Sequence, residues 1–408
     1  MINYLDRTVL GVAAPALTKE LGLTAGQMGL AFSAFSWSYA LLQIPGGIFL
    51  DRFGTRITYT VAVVCWSICT ALMGAVRSLG GLLVMRIGVG VFEAPCFPAN
   101  SRILATWFPQ HERARANAIY SFGQYVGLGF LSVPLFWITQ QFGWRGLFLI
   151  VGGLGVLFGA LWWRLYHNPA ESTTANAAEI EYIEAGGGGE YRGEPVRFTW
   201  SHVAALLRRR QVVGASLGQF GGNSTQVFFV TWFPTYLVTA RGMTFIQAGL
   251  MTSLPFIGAS IGVLVGGLVS DTILKRTGSA NLARKLPIVG GMLLASTIVL
   301  ANYVPEGQNG VVILIMSVAF FGQGMTNLGW TVISDIAPKQ LIGLTSGIFN
   351  FSANLAGIVT PLVIGLTFQL TGSFVGPLAY IGVVALLGAL SYSVVLGDIH
   401  RLQVDLRG

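Results

Sequence analysis

The stretch MRIGVGVFEAPCFP, residues 85–98, decides how the chain is read. It is apolar almost throughout, yet it holds an arginine and a glutamate. Arg86 and Glu93 are seven residues apart, which puts them on one face of an α-helix, about 10 Å apart along its axis. The apolar flanks make the segment a membrane span. Charges inside a bilayer are costly, so they face a bundle interior or a wet cavity and mark an ion or substrate path. The alternative is a buried salt bridge that only fixes helix packing. Pro95 and Pro98 follow closely, and interior prolines leave carbonyls unpaired and kink a helix.

The rest of the composition agrees with a membrane setting. The 408 residues are 53% hydrophobic and only 10% charged, with a mean hydropathy of +0.67; a soluble domain carries roughly 25% charged residues. The formal charge of +8 does not indicate a nucleic-acid partner, because most basic residues sit in short loops between apolar spans. Arg208, Arg209 and Arg210 directly precede a span and are expected to touch anionic lipid. Cys65, Cys69 and Cys96 all lie in apolar segments, which argues against a disulfide framework. Cys65 and Cys69 share a helix face but have no histidine or acid beside them, so no metal site is expected. His111, His167, His202 and His400 lie in loops or near segment ends, and no P-loop is present. No cofactor, enzyme chemistry or ATP drive is therefore expected. A basic n-region and an A-x-A-type site are missing from the N-terminal segment, so no cleavable signal peptide is expected.

Twelve spans of near-bilayer length follow: 2–18, 28–50, 57–76, 79–108, 118–140, 146–166, 212–238, 245–269, 286–303, 311–336, 344–370 and 374–395. The expected fold is an all-α polytopic membrane protein of two six-helix bundles, 1–166 and 211–396. A cytoplasmic linker (167–210) joins them and a cytoplasmic tail (397–408) follows. The linker holds six glutamates and the glycine run 186–189, so flexibility is expected, with a short surface helix around 179–184. The first span offers only ~17 residues, short of a core about 30 Å thick. Helix 1 is thus expected to be truncated at its start, the alternative being an interfacial position for the residues before Leu5. Seventeen lysines and arginines fall on the side of the even-numbered loops and the C-terminus, and four (Lys19, Arg77, Arg145, Arg241) on the other. This bias puts both termini in the cytoplasm.

The halves echo one another. GGIFLDRFGTR (46–56) recurs as GGLVSDTILKRTG (266–278), and PQHERARANAIYSFG (109–123) as PKQLIGLTSGIFNFS (338–352). Repeats of this kind are related by an axis along the membrane normal. In the first loop glycine allows close helix approach, and Asp51 can cap or pair with a neighbouring helix end.

The loop pattern Gly47-x-x-x-Asp51-Arg52-x-Gly54-x-Arg56 resembles the signature of the major facilitator superfamily. NYLDR (3–7), SYALLQIPGG (38–47), RIGVGVFEAPCFPANSRILATWFP (86–109), ERARANA (112–118) and WFPTYL (232–237) are together similar to its anion:cation symporter family. That family includes bacterial carriers of galactonate, glucarate and hexuronates. The resemblance covers nearly the whole chain and is strongest in its first half. It implies a gating role for Asp51, Arg52 and Arg56, and for Asp271 and Arg276 in the second copy. It implies that Asp6 and Glu93 carry protons and that Arg7 meets the substrate carboxylate. Arg86 matches the helix 4 arginine. Tyr39 and Gln124 match polar groups lining the first-half cavity, and Asn327, Trp330 and Asn350 fall where these carriers contact substrate.

General physics supports that assignment. Desolvation favours the neutral acid, a neighbouring arginine favours the carboxylate, and the two compete. Arginine stays charged and offers a planar fork to a carboxylate. Hydroxyls of a sugar acid need fixed donors and acceptors, which Tyr39, Gln124, Asn327 and Asn350 can supply. Gln124, Asn350 and Asn354 have the alternative of bonding neighbouring helices, and Trp330 that of ordinary packing. Arg102, about 13 Å beyond Glu93 along the helix, either lines the cytoplasmic entrance or snorkels. Asp335, near Lys339, either forms a gating salt bridge or is a solvated cap. The expectation is a proton-coupled, alternating-access carrier of a small organic anion in the bacterial inner membrane, functional as a monomer. A sodium-coupled or exchange carrier is the rival, and a non-transporting membrane sensor a more distant one.

Overall fold

The computed structural model describes residues 2–109, 113–172, 175–186, 189, 200–338 and 341–403. Among the described residues the secondary structure is helical, without a strand. In chain order the helices are α1 (Ile2–Leu21), α2 (Ala25–Met73), α3 (Leu79–Glu93), α4 (Cys96–Trp107), α5 (Arg113–Leu165), α6 (Ala177–Ala185), α7 (Trp200–Leu207), α8 (Arg210–Thr231), α9 (Phe233–Thr235), α10 (Phe245–Thr277), α11 (Ala280–Ser296), α12 (Asn309–Met325), α13 (Gly329–Ile336), α14 (Ile342–Thr371) and α15 (Val375–Leu390). Among the described residues eight helical segments are long and apolar enough to cross a membrane by length and composition. The first, second and seventh expected spans are not among them; α1 carries Asp6 and Arg7, and α8 carries Gln211, Gln219, Asn223 and Gln226.

The expected boundaries shift where backbone chemistry intervenes. α1 runs 20 residues, about 30 Å, to Leu21, where Gly22 takes a left-handed conformation (φ 62°). The second and third expected spans are joined in α2 and break at Gly54 (φ 76°, ψ 171°), inside the signature loop. Only glycine adopts that conformation without strain, which explains its place in Asp51-Arg52-Phe53-Gly54. Gly143 (φ 68°) breaks α5 in the same manner. The fourth expected span is split between α3 and α4, because Pro95 cannot donate an amide to the preceding turn. The tenth is interrupted by a 3₁₀ turn, Thr326–Leu328. In the linker, α6 extends the expected surface helix, capped by Asn176 Oδ1 accepting from Glu179 N at 2.8 Å.

The chain forms two compact units. One comprises 1–23, 34–127 and 138–195; the other comprises 24–33, 128–137 and 196–408. In the first unit Arg145 gathers three helix ends. Its Nη1 donates to the carbonyls of Gly74 and Val76 (2.9 and 3.0 Å), and its Nη2 donates to Glu20 Oε1 (2.9 Å). Trp144 Nε1 donates to the other carboxylate oxygen, Glu20 Oε2, at 2.6 Å. Arg56 donates through Nε and Nη2 to the carbonyl of Trp163 (3.0 and 2.6 Å) near the C-terminus of α5, and lies over that ring. A cation at a helix C-terminus complements its dipole.

In the second unit, glycines let helices touch backbone to backbone. A Cβ on Gly291 of α11 would meet the Gly322 carbonyl of α12, and one on Gly322 would meet the Gly291 carbonyl. Such small-residue seams replace the hydrophobic effect as the source of helix contact in lipid. Phe229 stacks on Phe320 at 4.1 Å, with the Phe256 edge against the latter. The start of α2 joins this unit, where Gly26 N donates to Gln369 Oε1 on α14 (2.9 Å).

Two outcomes follow. Gly322→Val forces the α11–α12 seam apart and is expected to cost about 1–3 kcal/mol, read as a lower thermal midpoint in detergent. The hydrogen bonds from Trp144 and Arg145 hold the Glu20 carboxyl below its usual range. A depressed carboxyl contributes stability above its unfolded value and loses it as pH falls through the folded one. The melting difference between the wild type and Glu20→Gln is therefore expected at neutral pH and should close under acid.

Candidate functional site

The expected acids and arginines of the first half meet inside the first unit. Asp6 and Arg7 are consecutive, so on α1 they point about 100° apart and reach different helices. Arg7 turns to α3, donating to Glu93 Oε1 through both Nε (2.9 Å) and Nη2 (2.6 Å). Asp6 turns to α2, where Trp66 Nε1 donates to its Oδ2 at 2.8 Å. Asp6, Arg86 and Glu93 are buried, while the Arg7 side chain stays 18% exposed. Among the described residues, Asp6 Oδ1 and Glu93 Oε2 are buried with no hydrogen-bond partner.

The local sequence explains this convergence. Gly90 lies one turn before Glu93, and a Cβ there would collide with the Phe35 carbonyl and Ser38 Oγ. Its absence lets α3 press against α2, and Ser38 Oγ donates to the Ile87 carbonyl across the seam (2.9 Å). Gly46 likewise admits Pro95, so the helix break just after Glu93 seats on α2. This approach brings Phe35 and Tyr39 beside the charges. The Arg7 guanidinium lies over both rings, 4.6 Å from Phe35 and 4.8 Å from Tyr39, and Arg86 lies 5.1 Å from the Phe35 ring. Phe35 and Tyr39 stack at 5.2 Å. Cation–π contacts of this kind gain strength when desolvated.

The structure therefore brings together Asp6, Arg7, Tyr39, Arg86 and Glu93. The ion pair of Glu93 is made with Arg7 on α1, a different partner from the Arg86 of its own helix face. Two residues were missed by sequence reasoning. Trp66 carried one faint signal, an indole N–H in an apolar span that needs an acceptor. Phe35 carried none, since a platform phenylalanine has the same letter as a packing one.

Other expected positions stand apart from this cluster. Gln124 lies within α5, and its side chain falls outside the described residues, as does that of Asp51. Arg52 is exposed, its guanidinium 5.5 Å from the Phe53 ring. Arg102 Nη1 donates to the Leu50 carbonyl (3.2 Å), at the signature-loop end of the first unit. In the second unit Asn327 occupies the 3₁₀ turn, and half-exposed Trp330 meets the Phe349 ring edge-on at 5.0 Å. Asn350 is partly buried, and its carbonyl accepts from Asn354 Nδ2 (2.9 Å), so Asn354 takes its own helix as partner. Asn223, not singled out by sequence, donates to the Ala353 carbonyl.

Arg284 of α11 bridges two acids, with Nε at 3.0 Å from Asp335 Oδ2 and Nη1 at 3.8 Å from Asp271 Oδ1; it also donates to Ser270 Oγ (2.6 Å). Arg284 is thus the partner of Asp335, while Lys339 falls outside the described residues. Arg276 is exposed in the last turn of α10. Among the described residues no group of His, Cys, Asp or Glu is placed to hold a metal ion.

These features were compared with known proteins. The sequence profile described as Major Facilitator Superfamily matches residues 1–361. The chain is 42% identical over 407 residues to a D-galactonate transporter of Escherichia coli strain CFT073, covering 98% of this chain and 94% of that one. It is 43% identical over 415 residues to the "Probable galactarate/D-glucarate transporter GudP" of Escherichia coli K12, covering 98% and 92%. Among solved structures, a D-xylose-proton symporter superposes with a TM-score of 0.76 at 14% identity, over 98% of this chain and 95% of that one. An inward-facing, occupied bacterial homologue of the human lysosomal transporter Spinster gives 0.72 at 21%, over 97% and 89%; at these identities the likeness is one of fold. With its profile match, its transporter relatives and its helical fold, the chain belongs to the Major Facilitator Superfamily.

Proposed function

We propose that the protein is a proton-coupled secondary carrier that takes up a sugar acid, of the galactonate or glucarate type, by alternating access. The observation that carries this reading is the Arg7–Glu93 pair, in which a partly exposed guanidinium is held by a buried carboxylate with one oxygen left over. A proton on Glu93 removes the charge that holds Arg7. The arginine fork then needs another anion in a low-dielectric site. A substrate carboxylate satisfies it, with Arg86, also against the Phe35 ring, adding a second positive charge. When the proton leaves to the cytoplasm, Glu93 recaptures Arg7 and the substrate loses its counter-charge. The names of the relatives support a sugar acid as the anion. Its hydroxyls would find Tyr39, Gln124, Asn327 and Asn350, with Trp330 offering an apolar face.

In this reading the carrier works as a monomer in the bacterial inner membrane, both termini cytoplasmic, as the distribution of lysine and arginine supports. The bundles 1–166 and 211–396 rock about a midplane site. The loop groups Asp51, Arg52 and Arg56, with Asp271 and Arg276 in the second copy, stabilise one end state on the cytoplasmic side. The Arg284 bridge between Asp271 and Asp335 supports that role.

The test is uptake of labelled galactonate and glucarate into proteoliposomes under an imposed pH gradient without sodium. Accumulation is expected, whereas a strict sodium requirement would replace the coupling ion. Glu93→Gln, a permanently neutral mimic of the protonated acid, is expected to abolish accumulation while retaining substrate counterflow; accumulation at the wild-type level would remove Glu93 from the coupling. Arg7→Lys loses the fork. It is expected to raise the apparent KM by about tenfold or more, the value of one charge-assisted hydrogen bond.

A further inference from the structure

Asp6 is gripped unevenly. Its Oδ2 accepts the Trp66 indole N–H at 2.8 Å, while Oδ1 is buried without a partner among the described residues. One helical turn beyond Trp66, on the same face of α2, the Thr70 hydroxyl faces Asp6. It too is buried and has no hydrogen-bond partner of its own. The charged groups facing Asp6 are Arg86 and Glu93 of α3, and Arg7, its neighbour on α1, is engaged by Glu93.

The three polar groups differ in what they can do. An indole N–H only donates, whereas a hydroxyl both donates and accepts. A proton on Oδ2 would set an O–H against the indole N–H, two donors face to face in a buried place. A proton on Oδ1 meets no such conflict and finds the Thr70 oxygen able to accept it. We propose that Trp66 and Thr70 are positioning residues that choose the protonated oxygen of Asp6. Trp66 fixes Oδ2 as an acceptor in both charge states. Thr70, whose hydroxyl and the facing Oδ1 are both unpartnered among the described residues, becomes the acceptor of the acid proton. The neutral acid is then fully hydrogen-bonded by protein alone, and a proton is held on α1 without an ordered water. This inference rests on the reading of Asp6 as a proton carrier.

Infrared difference spectra of the reconstituted protein between alkaline and acid pH test it. A carbonyl band of the protonated Asp6 is expected, identified by its loss in Asp6→Asn. In Trp66→Phe the carbonyl oxygen loses its donor, so the band moves to higher wavenumber. In Thr70→Val, nearly isosteric and expected to fold even where Trp66→Phe does not, the acid proton loses its acceptor and the band moves upward by less. An Asp6 band that keeps its position in the variants would overturn the assignment. The absence of any Asp6-dependent band across the pH range would instead overturn the proton-carrier reading, and this inference with it.

Discussion

The charged cluster of the first unit is arranged around the cost of keeping Glu93 out of water. An ionised carboxylate buried alone costs many kcal/mol, so the fold must deliver a cation to it. Arg7 does this from another helix, with two hydrogen bonds to a single oxygen. That requirement sets the packing. Gly90 and Gly46 bring α3 and the Pro95 break onto α2, and α2 in turn supplies the aromatic wall beside the arginines. Breaking a buried pair by removing one partner is more damaging than never having had it, and a carrier can use that asymmetry. In the proposed cycle a proton neutralises the buried Glu93 carboxylate, and the charge left in need of a partner is that of Arg7.

The acids and arginines were legible in the sequence because intramembrane charge is rare and expensive. Asp6, Arg7, Arg86 and Glu93 stand out against an apolar background, and the family resemblance gave each a role. Which of them pair was not legible. Helical periodicity places Arg86 on the face of Glu93, but α1 lies closer through a tertiary approach that periodicity does not encode. The approach was written in Gly90 and Gly46, residues whose meaning depends on what stands opposite. Arg284 shows the same limit, since the cation beside Asp335 comes from α11, whereas distance along the chain singles out Lys339.

Most span boundaries were legible to within a few residues, but α10 runs on to Thr277 and α11 begins at Ala280, and apart from the break at Pro95 the interruptions were not legible. The 3₁₀ turn Thr326–Leu328 and the π-helical segments Tyr236–Ala240 and Ser391–Val395 lie within expected spans. No proline or glycine run announces the last of these. Such irregularities are stabilised by what surrounds them, and in membranes irregular backbone survives only where protein or a cavity satisfies it. Gly54 is the opposite case: its conformation at φ 76° explains a glycine that the loop pattern already displayed.

Phe35 has a mechanical consequence. A guanidinium over a ring face is held by a contact that makes no directional bond. Arg7 rests on Phe35 and Tyr39, so in the proposed cycle its fork would turn from Glu93 to a substrate carboxylate while keeping that support. In that cycle the ring works as a bearing, and exchange of partners is a turn of the fork instead of a withdrawal and a second approach.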